Sequence, residues 1–171
     1  KVVNGLFAVV NKLYGLDITE RKAAEERLIW LAERDPLTEL FNRRYFQDAL
    51  QNALLHNGEG AILLLDLDQF KEINELSGHH VGDHLLREVA ETLFLNLGQR
   101  SIIARLGGDE FALLLPRVER AALDELVKQL CSLVRRPIRL EHRVFNLDVS
   151  IGFARYPGDV ANTSELFNAA S

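Results

Sequence analysis

The sequence contains no methionine and a single cysteine, Cys131. One cysteine cannot close an internal disulfide, and Cys131 falls within an apolar helical pattern where a small buried side chain is the simple role. No apolar run approaches the ~20 residues that span a bilayer, and no secretory signal is present. A soluble, cytoplasmic chain is the expectation, with any membrane anchor lying outside these residues. The missing methionine, together with Lys1 at the start, predicts a piece of a longer protein. Positive charge is also in deficit, with 20 Lys and Arg against 25 Asp and Glu. That balance disfavours nucleic acid as a partner, so a phosphate-bearing ligand must meet locally placed metal or lysine. Zinc is disfavoured too, because His79 and His80 lack the cysteines or second histidine pair of a zinc site.

What is present is a globular composition, 47% apolar and 26% charged over 171 residues, enough for one domain with a modest extension. Residues 6–16 read as a strand, alternating through Phe7, Val9 and Leu13. From Thr19, a plausible N-cap, to Glu33 the pattern is helical, with Ala24, Leu28 and Leu31 on one face. That face can pack on its own domain or pair with its twin in a second chain. Asp35-Pro36 stops the helix.

A helix over 42–56 follows, with Phe46, Leu50, Ala53 and Leu54 inward. The run Ala61-Ile-Leu-Leu-Leu65 then predicts a buried strand that delivers Asp66 and Asp68 at its end. A short helix spans 69–76, Gly78 breaks it, and a longer one runs from Asp83 to Leu97. Residues 102–106 and 111–115 flank Gly107-Gly108-Asp109-Glu110, the pattern of a hairpin with an acidic tip. A helix through Leu123, Leu126 and Leu130, a strand over 144–153 and a last helix from about Thr163 complete the order. An α+β fold is expected: an antiparallel-rich sheet with helices on one side.

Asp66 ends an apolar strand, where a carboxylate needs a cation or a hydrogen-bond partner, unless it simply caps the next helix. At the tip, two glycines allow close approach by a phosphate, and Asp109 and Glu110 suit a hard divalent cation; a solvated acidic turn is the plainer alternative. Together the strand-end and tip acids have the composition of a magnesium-assisted nucleotidyl-transfer site. Lys71 stands at a helix start where phosphates gather, or else merely faces solvent. Asp83 accepting from N1–H and the 2-amino group, with Asn74 donating to O6 or N7, would read guanine; an N-cap is the other role open to Asp83.

These residues resemble the GGDEF family, the diguanylate cyclases, over nearly all of 35–171. The matching motifs are Asp35-Pro-Leu-Thr, Leu40-Phe-Asn-Arg-Arg-Tyr-Phe46, Asp66-Leu-Asp-Gln-Phe-Lys-Glu-Ile-Asn74, Gly78-His-His-Val-Gly-Asp83, Arg105-Leu-Gly-Gly-Asp-Glu-Phe111 and Val149-Ser-Ile-Gly152. Upstream, Gly15-Leu-Asp-Ile-Thr-Glu-Arg-Lys22 resembles the end of a PAS sensor entering a signalling helix. The resemblance implies residues 1–18 as the end of a sensor, 19–34 as a signalling linker, and 35–171 as a GGDEF domain cut short at its C-terminal end.

It further implies a palm-like sheet flanked by helices, with one GTP bound per domain. Asp66, Asp109 and the Leu67 backbone carbonyl would ligate Mg2+ or Mn2+. Glu110 would sit beside the metal or the attacking hydroxyl, and whether it or Asp109 takes the proton stays open. Lys71 would steady the transferring phosphoryl group, while Asn74, His79 and Asp83 hold the guanosine. Two domains would face each other as a homodimer to make cyclic di-GMP.

Three departures stand out. Gly98-Gln99-Arg100-Ser101 replaces the family's Arg-x-x-Asp product site, which predicts no feedback there. Glu39 replaces a usual glycine near where guanine should enter. Ala169-Ala170-Ser171 replaces the start of a lysine-bearing segment. A regulatory GTP-binding domain beside an EAL phosphodiesterase is therefore the rival to an active cyclase.

Overall fold

The structure, a computed structural model, describes residues 5, 6, 8, 9, 12, 18–56 and 58–159. The chain divides into two compact units, Lys1–Glu33 and Arg34–Ser171.

In the first unit, Leu6, Ala8, Val9 and Lys12 are helical, which corrects the expected strand at those positions; the rest of 6–16 lies outside the described residues. Leu6, Val9, Val10 and Leu13 recur at the three- and four-residue spacing of a helix, and this outweighs the loose alternation nearby. Helix α1 spans Ile18–Glu33, so Thr19 lies inside it rather than capping it. Its apolar side chains Leu28, Ile29 and Leu31 are exposed. The helix ends ahead of Pro36, as the proline requires.

The second unit opens with helix α2, Arg43–Leu55, whose N-cap Asn42 accepts a hydrogen bond from the Tyr45 N–H. Strand β1 is Gly60–Asp68; helices α3, Phe70–Ser77, and α4, His79–Leu97, meet at Gly78. Helix α4 thus begins ahead of the expected start at Asp83, which places Asp83 within the helix and removes its N-cap role. Strands β2, Ile102–Gly107, and β3, Glu110–Pro116, form the expected hairpin, followed by helix α5, Arg120–Val134.

The expected strand over 144–153 is two. Strand β5, Arg143–Phe145, pairs with the unforeseen β4, Ile138–Leu140, and β6 runs from Asp148 to Tyr156. Phe145, Leu147 and Val149 all reach one core, so their alternation continues across the break and conceals it. The helix expected from Thr163 lies outside the described residues.

The main sheet has the order β2-β3-β1-β6, every pairing antiparallel, with β1 central. Helices cover both faces rather than one. Ala61, Leu63, Leu65 and Leu67 of β1 join the larger core with α3, α4 and α5, while Ile62 and Leu64 meet Phe46 and Leu50 of α2. This two-sided burial is why β1 reads as an unbroken apolar run instead of an alternating one. Phe46 is fully buried, and truncating it to alanine should cost about 3–5 kcal/mol. Among the described residues, no helix is long and apolar enough to cross a membrane.

Candidate active site

The hairpin tip is held against the end of β1. Asp66 stands opposite Glu110 of β3 on one side and Ser150 of β6 on the other. One residue on, the Leu67 N–H donates to the Asp109 carbonyl at 3.2 Å. In an antiparallel strand the N–H and C=O of one residue face the same neighbour, so the Leu67 carbonyl is directed toward the tip as well. The turn needs its glycines: Gly107 has φ +135° and Gly108 φ +51°, conformations that a side chain disfavours. Pairing between β2 and β3 shifts between Arg105 and Gly107, leaving Leu106 as the extra residue of a bulge beside the tip.

Asp66 does not cap the following helix; Gln69 occupies that position. The Asp66 carboxyl keeps solvent access yet is held above its ordinary value, first by partial desolvation, then by the charges of Asp109, Glu110 and Asp68, and by a hydrogen bond with Asp109. Among the described residues, no three His, Cys, Asp or Glu side chains are gathered to hold a metal by themselves. The tip offers instead two adjoining carboxylates, Asp66 and Asp109, and the Leu67 carbonyl. Hard oxygen donors carrying surplus negative charge fit Mg2+ or Mn2+.

Two cavities flank the tip. One, about 270 Å³, is lined by Asp66, Leu106, Glu110, Ser150 and Gly152 among others. The second, about 360 Å³, brings together Lys71, Asn74, His79 and Asp83 with Arg105, Gly108 and Asp109. Helix α3 supplies Lys71 and Asn74, α4 supplies His79 and Asp83, and the break at Gly78 sets the two helices side by side.

Asn74 is seated by an absence. Its Oδ1 is buried without a hydrogen-bond partner and lies 1.7 Å from where a Cβ on Gly82 would be, so any side chain at 82 would displace it. Lys71 is exposed, with Glu75 at 3.9 Å. Glu39 is not among the residues lining this cavity. It adopts φ +63°, a left-handed conformation in which glycine is at ease, and this accounts physically for the glycine expected there.

Sequence reasoning named the acids and the nucleotide-side residues but gave no role to those that fix the tip. Arg105 donates through Nε and Nη2 to the Gly108 carbonyl, at 3.0 and 2.8 Å, and through Nη1 to both oxygens of Asp35, at 3.1 and 3.2 Å. The pair is nearly buried, at 14% and 13% exposure. Asp35 also accepts from the Thr38 N–H and hydroxyl. Arg43 of α2 holds the other side, with Nε donating to the Leu106 carbonyl and Nη2 at 3.9 Å from Glu110 Oε2. Arg105 and Asp35 were visible as motif residues; their pairing across the fold was not. Within residues 98–101, the Ser101 hydroxyl donates to the Leu97 carbonyl ahead of β2.

Comparison with known proteins agrees with this geometry. Residues 32–171 match the family model described as "Diguanylate cyclase, GGDEF domain". The chain is 41% identical over 152 residues, 86% of its length, to the bifunctional diguanylate cyclase/cyclic di-GMP phosphodiesterase MucR of Pseudomonas aeruginosa, of which it covers 22%. It is 35% identical over 158 residues, 91% of its length, to the cyclic di-GMP phosphodiesterase PdeR of Escherichia coli, of which it covers 24%. The chain therefore spans about a quarter or less of these two relatives.

Among solved structures, the GGDEF domain of TpbB from Pseudomonas aeruginosa superposes with a TM-score of 0.75 at 36% identity, covering 80% of this chain and 83% of that one. The coiled coil and GGDEF domain of DgcB from Caulobacter crescentus shares the fold, with a TM-score of 0.83 at 24% identity over 99% of this chain and 91% of that one. Sheet order, hairpin tip and family match agree, and the chain belongs to the GGDEF domain family.

Proposed function

We propose that this domain is a diguanylate cyclase, condensing two GTP into cyclic di-GMP with release of two pyrophosphates. The observation that supports the reading is the 360 Å³ cavity, which Lys71, Asn74, His79 and Asp83 line together with Gly108 and Asp109 of the hairpin tip. Asn74 and Asp83 read the guanine edge, and His79 closes on the guanosine. Lys71 leaves Glu75 to meet the phosphates. Asp66, Asp109 and the Leu67 carbonyl would hold Mg2+ or Mn2+, which supplies charge screening of the triphosphate and activation of the attacking hydroxyl. Glu110 stands beside them on the β1 side, and either it or Asp109 accepts the proton of the 3′-hydroxyl.

Each 3′-oxygen bonds to the α-phosphorus of the other GTP, and the bond to pyrophosphate breaks. One domain holds one nucleotide, so the reaction requires a homodimer with the two sites facing. The exposed Leu28, Ile29 and Leu31 of α1 support a role for this helix as the signalling linker that pairs two copies downstream of a PAS-like sensor. The reaction belongs in the cytoplasm, where GTP is supplied.

A second reading is a GTP-binding regulatory domain acting on an adjoining EAL phosphodiesterase. It is favoured by the strained Glu39 and by PdeR, whose own description is phosphodiesterase. Product analysis separates the two. The chain incubated with GTP and Mg2+ should release cyclic di-GMP and Asp109→Ala should not, whereas GTP binding without product would leave only the regulatory role.

A further inference from the structure

We infer that Arg43 is a positioning residue of the hairpin tip, fixing where the Glu110 carboxylate stands relative to Asp66; the inference rests on the nucleotidyl-transfer reading above. Arg43 is the first residue of α2, and the Asn42 cap sets the helix end that carries it. From there one guanidinium reaches both strands of the hairpin. Its Nε donates at 3.3 Å to the carbonyl of Leu106 on β2, and its Nη2 lies 3.9 Å from Oε2 of Glu110 on β3.

Both contacted residues line the 270 Å³ cavity with Asp66. Leu106 is the bulge residue, displaced from regular pairing with β3, and the arginine supplies its carbonyl with a donor. Glu110 is directly opposite Asp66 and next to Asp109. Left to itself, its carboxylate would swing outward from those like charges.

Arg43 and Glu110 are 50% and 53% exposed, so their ion pair contributes little to folding. What it fixes is direction. A guanidinium fork can serve the carbonyl and the carboxylate at once, and an ammonium cannot. Lysine at this position should therefore keep one contact and lose the other.

The test compares the full chain with Arg43→Gln and Arg43→Lys by amide hydrogen exchange and by GTP turnover with Mg2+. In Arg43→Gln, exchange at residues 106–110 should quicken roughly tenfold while α2 and β1 keep wild-type protection. The same variant should lose about tenfold in kcat with KM within about twofold. Arg43→Lys should fall between it and wild type on both readouts. Unchanged exchange at the tip, uniformly faster exchange throughout the domain, or a rise in KM with kcat intact would each overturn the assignment. If the wild-type chain forms no cyclic product, the cyclase reading fails, and tip exchange alone decides the role of Arg43.

Discussion

Arg105 joins Asp35 to the carbonyl of Gly108, so the segment that follows α1 and the tip that carries Asp109 share one guanidinium. Both charged side chains are nearly buried, and removing one partner leaves the other charge uncompensated. Asp35→Asn should therefore cost roughly 2–4 kcal/mol in urea denaturation. Arg105→Lys, which cannot fork between the carbonyl and the carboxylate, should also lower turnover. Wild-type stability in Asp35→Asn would show that the bridge is dispensable.

Gly82 can be tested by a single methyl group. A Cβ there collides with Asn74 Oδ1 and comes within 3.2 Å of Phe70 Cζ. Gly82→Ala should weaken GTP binding about tenfold or more, equivalent to ~1.4 kcal/mol, measured by titration calorimetry. Overpacking adds a folding cost of about 1–3 kcal/mol, which thermal melts measure separately. Undiminished affinity would argue against Asn74 as a base reader.

Asp66 links pH to stability, and the proposed metal role adds a cation to that link. Its carboxyl is held above the ordinary aspartate value, so the folded chain binds that proton more tightly than the unfolded chain does. The stability this group provides is present at low pH and lost as pH rises through the raised value. Without divalent cation, Asp66→Asn should raise Tm at neutral pH by a small amount, about 1–2 °C after solvent screening. Mg2+ should raise the Tm of wild type and leave the variant unmoved. An equal Mg2+ response in both would remove Asp66 from the metal site.

Glu39 adopts a left-handed φ, with its N–H donating to the Asp35 carbonyl at 2.9 Å. Relieving the Cβ strain is worth about 1–2 kcal/mol, less the extra freedom glycine gives the unfolded chain. Glu39→Gly should gain roughly 0.5–1 kcal/mol, seen as a Tm increase of about 1–4 °C. A loss of stability would mean that the glutamate side chain makes a compensating contact.

Much of the fold was legible because its signals are local. The apolar run of β1 reports burial on both faces, and the glycine pair between apolar strands marks the hairpin. The spacing of Lys71, Asn74, His79 and Asp83 about Gly78 proved to be two helices lining one cavity. Signals failed where two periods coincide or a contact is remote. Val9 falls on the strand alternation with Phe7 and equally on the helical spacing with Leu6, and the break between β5 and β6 falls within an unbroken alternation. The Arg105–Asp35 bridge spans seventy positions, beyond the reach of any local pattern. Gly82 stood only as a member of the Gly78–Asp83 motif, and its packing against the buried Asn74 Oδ1 is a contact that the sequence does not display.

The central claim is that one site reads guanine and transfers the nucleotide. Its most direct test is to quantify cyclic di-GMP and pyrophosphate together, from the full chain supplied with Mg2+ and either GTP or ATP. The account predicts two pyrophosphates per cyclic di-GMP from GTP, at a rate per chain that rises with protein concentration, and little product from ATP. GTP that binds and is recovered intact, or ATP consumed as readily as GTP, would contradict it.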